Sequence, residues 1–343
     1  MVLTLPTTTR AAIFYGPDDI RLERVPLAAP GPQEVLVRIR ACGLCSSETL
    51  AWYMQRKAPV PLGHEPAGEV VAAGEGAGVA PGQRVFIHHH APCLQCRACR
   101  RGDYVHCQTW RGTRLVPGGL AEYALVPAQI TAADLLPLPA SVSDVAAVFV
   151  EPLACVVKSL RRARVRPGDR LAVIGLGVMG LLHILLAREL QLERLIGVDL
   201  LPERLAAARA AGADDVLMGG EDVAARVREA TGGGADVVVV TPASLGAIQL
   251  GYESVAPGGR IVIFTPVPPE DLWALPVHDM FFREVEIVPT YSAGPNDTRE
   301  ALRRLAEGLP VESLISHRFD LNGAAEGYRL VAQGRALKVV VQP

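Results

Sequence analysis

The pattern of apolar and polar residues changes near residue 150. Before that point, short apolar runs are separated by glycine and proline, which is typical of a compact, barrel-like domain rich in β-strands. Strands are predicted in this part of the chain at 34–39, 68–72, 83–87 and 121–126. The first part of the chain is therefore expected to be mainly β.

Beyond about residue 153, short apolar runs alternate with helical patterns. That alternation predicts a doubly wound parallel sheet, so the fold class is α/β joined to a β-rich part. The predicted strands are 171–174, 195–198, 237–240 and 260–264, with helices between them that include 202–211 and 245–255. The last stretch predicts helices at 300–307 and 324–333 and a final strand at 338–341.

Length and composition narrow the class of protein. A chain of 343 residues is long for one core and predicts two domains. Half of the residues are hydrophobic and the formal net charge is −2, so nothing draws the whole chain toward nucleic acid or membrane. Residues 1–16 do not resemble a signal peptide, which favours the cytoplasm. Seven cysteines in that compartment indicate metal binding or catalysis rather than disulfides.

A glycine-rich turn opens the α/β part. Gly175, Gly177 and Gly180 have G-x-G-x-x-G spacing, with an apolar strand before them and an apolar helix after them. Asp199 ends the next strand, about twenty residues further on. This context predicts a dinucleotide site, with the pyrophosphate on free N–H groups at the start of the helix. The predicted cofactor contacts are Gly175, Gly177, Val178, Met179, Gly180, Asp199 and Arg204.

Two other interpretations of this stretch are an ordinary βαβ unit and a membrane span. Interior glycines, and Arg188 and Glu189 directly afterwards, argue against a span. The Asp199 carboxylate suits the ribose diol and would repel a 2′-phosphate, which predicts NAD rather than NADP. Arg204 is the one nearby basic residue that favours the opposite choice.

Four cysteines share one short stretch with Cys-x-x-Cys-x-x-Cys-x7-Cys spacing. Four thiolates in one lobe suit a closed tetrahedral zinc site that holds a loop in place. Disulfides and an iron–sulfur cluster are the alternatives. The predicted ligands of this structural zinc are Cys93, Cys96, Cys99 and Cys107.

Further candidate ligands are spread over the β-rich part. Cys45, His64 and Glu65 offer a thiolate, an imidazole and a carboxylate, a usual set for a catalytic zinc with one open position. Glu151 is a fourth candidate. Each residue alone has an ordinary explanation, such as a loop histidine or a salt-bridged surface carboxylate. Their combination with the dinucleotide pattern is what makes them informative.

Several of these motifs together resemble one protein family. They are Gly43-x-Cys45-x-Ser47, Gly63-His64-Glu65, the four-cysteine stretch, Gly118-Gly119-Leu120-Ala121-Glu122-Tyr123, Glu151-Pro152-Leu153 and the glycine fingerprint. Along almost its whole length the chain resembles the zinc-containing medium-chain dehydrogenase/reductase family, the alcohol dehydrogenase superfamily. Glu151, where many alcohol dehydrogenases have cysteine, is similar to the sorbitol and threonine dehydrogenase branch.

The resemblance implies a domain arrangement. A GroES-like barrel catalytic domain would be built from both chain ends, 1–153 and 292–343. A Rossmann NAD-binding domain, 154–291, would be inserted between them. The resemblance also implies two zinc ions per subunit, one catalytic and one structural.

The resemblance assigns roles residue by residue. Cys45, His64 and Glu151 match the family's catalytic zinc positions. Glu65 matches a position that either ligates the metal or approaches it without direct ligation. Ser47 matches the hydroxyl that relays the substrate proton.

Three further positions depend on the resemblance. His90 matches a histidine near the substrate in threonine dehydrogenase-like relatives, although partly exposed strand or loop residues are an equal explanation for the run 88–90. Glu48 stands where the family usually has an aspartate that orients the zinc-bound histidine. Leu50 stands where many alcohol dehydrogenases have a relay histidine, so the proton must leave through water, cofactor ribose or another histidine.

The activity implied is transfer of a hydride from a secondary alcohol or polyol to NAD, which gives a ketone. The alternatives are a simple alcohol dehydrogenase, an enzyme similar to L-threonine 3-dehydrogenase, a reductase working in the opposite direction, and a catalytically silent relative. A homotetramer is expected, with a homodimer as the alternative. The strand predicted at 282–288 would pair across a two-fold axis.

Overall fold

The computed structural model describes residues 4–343. They form two compact units. One combines the chain up to Ala154 with the chain from Ala293 onward, and the other is Cys155–Ser292. Each unit has its own buried apolar core. Within residues 4–343, no helix is both long enough and apolar enough to cross a membrane.

The first part of the chain is built mainly from strands. They are β1 (Thr8–Gly16), β2 (Asp19–Pro26), β3 (Val35–Gly43), β4 (Val60–Pro61), β5 (Glu65–Ala73), β6 (Arg84–Ile87), β7 (Tyr123–Val126) and β8 (Leu135–Pro137). The helices are α1 (Ala51–Met54), α2 (Arg97–Arg100), α3 (Gln108–Gly112), α4 (Ala128–Asp134), α5 (Asp144–Ala147) and α6 (Val150–Arg162). In β3, Val37 and Ile39 enter the core, while Arg38 and Arg40 pair with Glu69 of β5. Over residues 37–40 this alternation is typical of a strand with one buried face.

Residues 155–292 form a parallel sheet. Its strands are β9 (Arg170–Ile174), β10 (Arg194–Asp199), β11 (Asp215–Met218), β12 (Ala235–Val240), β13 (Val255–Ile263) and β14 (Glu286–Pro289). Its helices are α7 (Val178–Ala187), α8 (Pro202–Ala211), α9 (Val223–Ala230), α10 (Leu245–Ser254) and α11 (Val277–Arg283). All neighbouring strands run parallel in the order β11-β10-β9-β12-β13-β14. The doubly wound sheet predicted from the alternating pattern is confirmed.

The strand predicted at 282–288 is wrong in its first part. Phe282 and Arg283 belong to α11, and only β14 remains as the edge strand beside β13. Arg283 donates a hydrogen bond to the carbonyl of Val255 and pairs with Asp279 at 3.0 Å, one helical turn earlier. A short apolar run does not distinguish a strand from a helix end, so these contacts decide the conformation.

The last part of the chain returns to the β-rich unit. It contains α12 (Pro295–Ala306), β15 (Ile315–Phe319), α13 (Ala324–Ala332) and β16 (Lys338–Val341). β16 pairs antiparallel with β3, where Val340 lies opposite Gly43 and Val341 lies opposite Cys42. The larger sheet has the order β15-β16-β3-β5-β6-β8, with β7 also paired to β3, and a separate sheet has the order β2-β1-β4. Both ends of the chain therefore build one unit, and β16 lies beside the strand that leads to Cys45.

Candidate active site and cofactor site

The ends of two neighbouring strands bring three predicted ligands together. β3 ends at Gly43, which lies opposite Glu65 at the start of β5. Cys45 follows shortly after β3, and His64 immediately precedes β5. One ligand atom from each of Cys45, His64 and Glu65 lies within 4.8 Å of the other two. A side chain at Gly43 would collide with the Glu65 carboxylate, so this close approach requires glycine.

The Glu65 carboxylate has a buried cation as its partner. Lys338, the first residue of β16, forms an ion pair with Glu65, and both side chains are 1% exposed. Its ammonium also donates a hydrogen bond to the carbonyl of Leu44 at 3.2 Å. Burial lowers the pKa of Lys338, but Glu65, Cys45 and Glu151 together outweigh that effect and raise the pKa above its usual value. Sequence reasoning missed Lys338, because its local pattern is only that of a buried strand.

His64 is oriented by a second buried carboxylate. Its Nδ1 lies 2.9 Å from Oε1 of Glu48, and the same oxygen accepts the Gly63 amide at 3.1 Å. The other Glu48 oxygen accepts a hydrogen bond from the hydroxyl of Tyr328 in α13. Because an ionised carboxylate only accepts hydrogen bonds, Nδ1 of His64 carries the proton and Nε2 is left to bind a metal. Glu48 therefore reaches the imidazole despite its extra methylene, and Tyr328 is a partner that the sequence did not indicate.

Ser47 lies next to this ligand group. It is part of the short helical turn that follows β3, and its Oγ lies 3.3 Å from Sγ of Cys45. A hydroxyl accepts and donates hydrogen bonds, so this position suits a group that passes a proton.

Among residues 4–343, His90 lies outside the ligand groups, and its role near a substrate stays a prediction. Its Nδ1 lies 2.8 Å from the carbonyl of Thr113, and its ring centroid lies 4.1 Å from that of Trp110. Burial, followed by the charge of Arg114, lowers the pKa of His90 to about 3. The ring is thus neutral and packed against the cysteine-rich lobe.

Glu151 is part of a second group of possible ligands. Its carboxylate and one ring nitrogen each of His88 and His89 lie within 4.8 Å of one another. The ring centroids of His89 and His64 are 5.0 Å apart, so the second group adjoins the first. Ligation of the catalytic zinc by Glu151 stays a prediction. His88 and His89 are residues for which the sequence left a loop role and a site role equally open.

The four cysteines converge in their own lobe. The sulfur–sulfur distances are 3.6 Å for Cys93–Cys107, 3.9 Å for Cys93–Cys99 and 3.5 Å for Cys96–Cys99. A tetrahedral zinc with Zn–S bonds of about 2.3 Å needs sulfur separations of about 3.8 Å. None of the four forms a disulfide, and the Cys93 amide donates a hydrogen bond to Sγ of Cys107 at 3.4 Å. This donor set fits zinc without rearrangement.

The glycine fingerprint forms the turn between β9 and α7. Gly175 has a φ of +84°, which side chains rarely tolerate. A side chain at Gly180 would collide with the Gly175 carbonyl, whereas nothing lies within 4 Å of the Cβ position of Gly177. The unobstructed position at Gly177 is compatible with a pyrophosphate at the start of α7. That group would accept hydrogen bonds from the first-turn amides, including those of Val178 and Met179.

Asp199 lies beside this turn at the end of β10. Its carboxylate accepts the Leu176 amide at 2.6 Å and the Leu201 amide at 3.0 Å. The Arg204 guanidinium lies 3.7 Å from the same carboxylate. Asp199 therefore ties the glycine turn to the end of β10, in addition to bringing a negative charge to the cofactor site.

Comparisons with known proteins agree with these sites. Residues 31–140 match the alcohol dehydrogenase GroES-like domain, and residues 178–307 match the zinc-binding dehydrogenase domain. The chain is 30% identical to erythritol/L-threitol dehydrogenase of Mycolicibacterium smegmatis over 366 residues, which covers 99% of each chain. It is 28% identical to sorbitol dehydrogenase of Bombyx mori over 350 residues, covering 98% of this chain and 99% of the relative.

One solved structure superimposes on almost the whole chain. A zinc-binding dehydrogenase from Sinorhizobium meliloti, bound to NADP, superimposes with a TM-score of 0.86 at 27% identity, covering 98% of this chain and 100% of the other. The fold, the ligand groups and the glycine turn thus define a zinc-dependent dehydrogenase that uses a nicotinamide dinucleotide. The chain belongs to the zinc-dependent medium-chain alcohol and polyol dehydrogenase family. The family resemblance seen in the sequence is confirmed, and the protein is an oxidoreductase.

Proposed function

We propose that the protein oxidises a secondary alcohol with a neighbouring hydroxyl, as in a polyol, and transfers the hydride to NAD⁺. The observation that carries this proposal is the mixed ligand group of Cys45, His64 and Glu65. One sulfur with nitrogen and oxygen donors makes a harder metal site than several thiolates, so it suits a chelating diol. The relatives named for erythritol, L-threitol and sorbitol support the same substrate class.

The side chains of the site divide the chemistry among them. A zinc ion held by Cys45, His64 and Glu65 would supply a Lewis acid at the alcohol oxygen. Glu48 keeps the proton of His64 on Nδ1, so Nε2 remains a donor atom. Ser47 accepts the proton of the alcohol hydroxyl and passes it on. Loss of that proton, with transfer of a hydride from the carbinol carbon to the nicotinamide, converts the alcohol into a ketone.

The substrate class is tested by kcat/KM with NAD⁺ for sorbitol-like polyols, simple secondary alcohols and ethanol. We expect polyols to be preferred by about tenfold, because the second hydroxyl adds a contact worth about 1–1.5 kcal/mol. Equal losses of activity on all substrates in Ser47→Ala would show that the same site serves the whole panel. A clear preference for ethanol or benzyl alcohol would contradict the proposal.

We also propose that the cofactor is NAD rather than NADP, with Asp199 as the deciding residue. We expect Asp199→Asn to reduce the NAD⁺/NADP⁺ preference by about tenfold, because it removes a charge that repels the 2′-phosphate. Asparagine keeps an oxygen that accepts the Leu176 amide, so the glycine turn remains anchored. The measurement is kcat/KM for each cofactor.

Asp214→Asn is the matched control for that experiment. Asp214 also accepts a backbone amide, that of Leu195 at 2.7 Å, but at the opposite end of β10. Its substitution should leave the cofactor ratio unchanged. A wild-type enzyme that works better with NADP⁺ would show that Asp199 does not play the role proposed.

We propose two zinc ions per subunit, one catalytic and one structural. The two ligand groups support this number, because one mixes donor types and the other consists of four sulfurs at zinc-like separations. Four thiolates kept for a metal also suit the reducing cytoplasm, which is the location we propose.

We further propose a homotetramer, with a homodimer as the alternative. The support is an exposed apolar surface on α11, beside the edge strand β14. Phe281 and Phe282 are 72% and 73% exposed, and Val277 is exposed next to them. Large exposed apolar patches next to an unpaired strand edge are typical of surfaces that bind another copy.

Charge introduced on that surface should reduce the size of the assembly. We expect Phe281→Glu with Phe282→Glu to shift the particle to a smaller species in light scattering, because each carboxylate would need desolvation in the interface. Leu94→Glu, at an exposed apolar residue of the cysteine-rich lobe, is the control and should leave the size unchanged. A wild-type protein that is monomeric at micromolar concentration would refute the oligomer.

A further inference from the structure

The hydroxyl of Tyr328 joins the network behind His64 from the far end of the chain. It donates a hydrogen bond to Oε2 of Glu48, and both residues are buried. Oε1 of the same carboxylate accepts the Gly63 amide and lies 2.9 Å from Nδ1 of His64. Glu48 therefore gives one oxygen to the imidazole and the other to the phenol. Within the described part of the chain, no second group donates to Oε2.

Close packing of α13 fixes the position of this hydroxyl. Gly327, the residue before Tyr328, lies inside the helix, where glycine is less favourable than alanine. A Cβ at Gly327 would lie 2.8 Å from Cδ1 of Leu44 and 3.1 Å from Cγ1 of Val339. Carbon atoms pack at about 3.5–4.0 Å, so a side chain here would push α13 away from the end of β3 and from β16. Glycine allows the approach that carries the phenol to the carboxylate.

The phenol limits the freedom of the Glu48 carboxylate. A tyrosine hydroxyl keeps its proton at neutral pH, so it donates and the carboxylate accepts. A carboxylate held at both oxygens cannot turn away from the imidazole without also losing the phenol. If the hydroxyl were absent, Oε2 would be a buried acceptor without a donor, and Glu48 would gain from leaving its place behind His64.

We propose that Tyr328 is a positioning residue for the catalytic zinc. Through Glu48 it keeps the imidazole of His64 in the orientation that presents Nε2 to the metal. The inference rests on the proposed zinc at Cys45, His64 and Glu65, and it adds a residue that contacts neither the metal nor the substrate. The length of the Glu48 side chain is part of the proposal, because the carboxylate must reach the imidazole and the phenol together.

The test is a double-mutant cycle of Tyr328→Phe and Glu48→Asp, with zinc affinity measured by competition with a chelating indicator. Tyr328→Phe removes only the hydroxyl, and we expect it to weaken zinc binding at the Cys45 group by about tenfold. In Glu48→Asp the carboxylate is one methylene shorter and no longer joins the phenol to the imidazole. The same tyrosine change should then alter the affinity by less than about twofold. Equal tenfold losses in both backgrounds would show that Tyr328 acts through packing, and would refute the proposal.

Two controls assign the result. Cys45→Ala identifies the zinc that the indicator takes from this group, because the zinc of the four cysteines should remain. Tyr252→Phe removes another buried tyrosine hydroxyl, one that donates to Asp279 at 2.6 Å, and should leave zinc affinity unchanged. Equal weakening in Tyr252→Phe and Tyr328→Phe would overturn the inference.

Failure of the inference and failure of the zinc site give different results. A wild type without any zinc that depends on Cys45 would overturn both. A wild type that holds this zinc, together with a Tyr328→Phe variant of unchanged affinity, would overturn the role of Tyr328 alone.

Discussion

Replacing Lys338 with methionine is expected to lower the free energy of unfolding by about 3–5 kcal/mol. Methionine has a similar length and fills much of the same space. It leaves the carboxylate of Glu65, which is 1% exposed, without its cation. The loss is measured by urea denaturation after treatment with a chelator, because zinc bound at Glu65 would replace part of the missing charge.

Two further variants separate charge from packing at this position. Lys338→Arg keeps a cation and should recover part of the stability. Lys57→Met removes an exposed lysine whose ammonium lies 3.3 Å from the Tyr53 ring centroid, and it should cost no more than about 1 kcal/mol. Similar losses in Lys57→Met and Lys338→Met would mean that the buried ion pair is not what stabilises β16.

Replacing Cys45 with alanine is expected to lower kcat/KM by about three orders of magnitude or more. The variant loses one of three ligands in the Cys45, His64 and Glu65 group, and with it the Lewis acid, whose contribution is several kcal/mol. Elemental analysis should find one zinc per subunit fewer than in the wild type. The zinc that remains is the one that we assign to the four cysteines, so the protein should stay folded.

Ser47→Ala distinguishes the metal from the proton path. Both zinc ions should remain, while turnover falls by about two to four orders of magnitude because the alcohol proton loses its acceptor. Cys155→Ala, at a cysteine outside both cysteine-containing ligand groups, should change neither the zinc content nor the turnover. A Cys45→Ala enzyme with full activity would rule out a catalytic zinc at this group.

Short-range signals in the sequence determined the nucleotide-binding turn, the cysteine lobe and most of the α/β part. α8 begins at Pro202 and ends before Gly212, which has a φ of +108°, and these boundaries match the prediction. Proline suits a first helical turn and glycine suits a left-handed cap, so both ends are encoded locally. The four cysteines are close along the chain, and their spacing alone restricts the sulfurs to one lobe.

The surroundings of the candidate ligands were decided by the tertiary structure. Lys338 reaches Glu65 across 273 residues, and Tyr328 reaches Glu48 across 280. The Lys338 contact arises because β16 pairs with β3, and the Tyr328 contact arises because α13 packs against the turn Ser46–Thr49. The local pattern of a buried strand or helix does not state which residue will face a carboxylate.

The same reason applies to the group of His88, His89 and Glu151. The sequence shows three neighbouring histidines and a distant glutamate, which are compatible with a loop or with a site. Only the folded chain shows that Nδ1 of His88 lies 2.6 Å from the Asp134 carboxylate, while its Nε2 is buried without a hydrogen-bond partner among residues 4–343. Residue type and spacing indicated the candidate ligands, whereas burial, tautomer and the pairing of charges depend on segments that meet only when the sheets form.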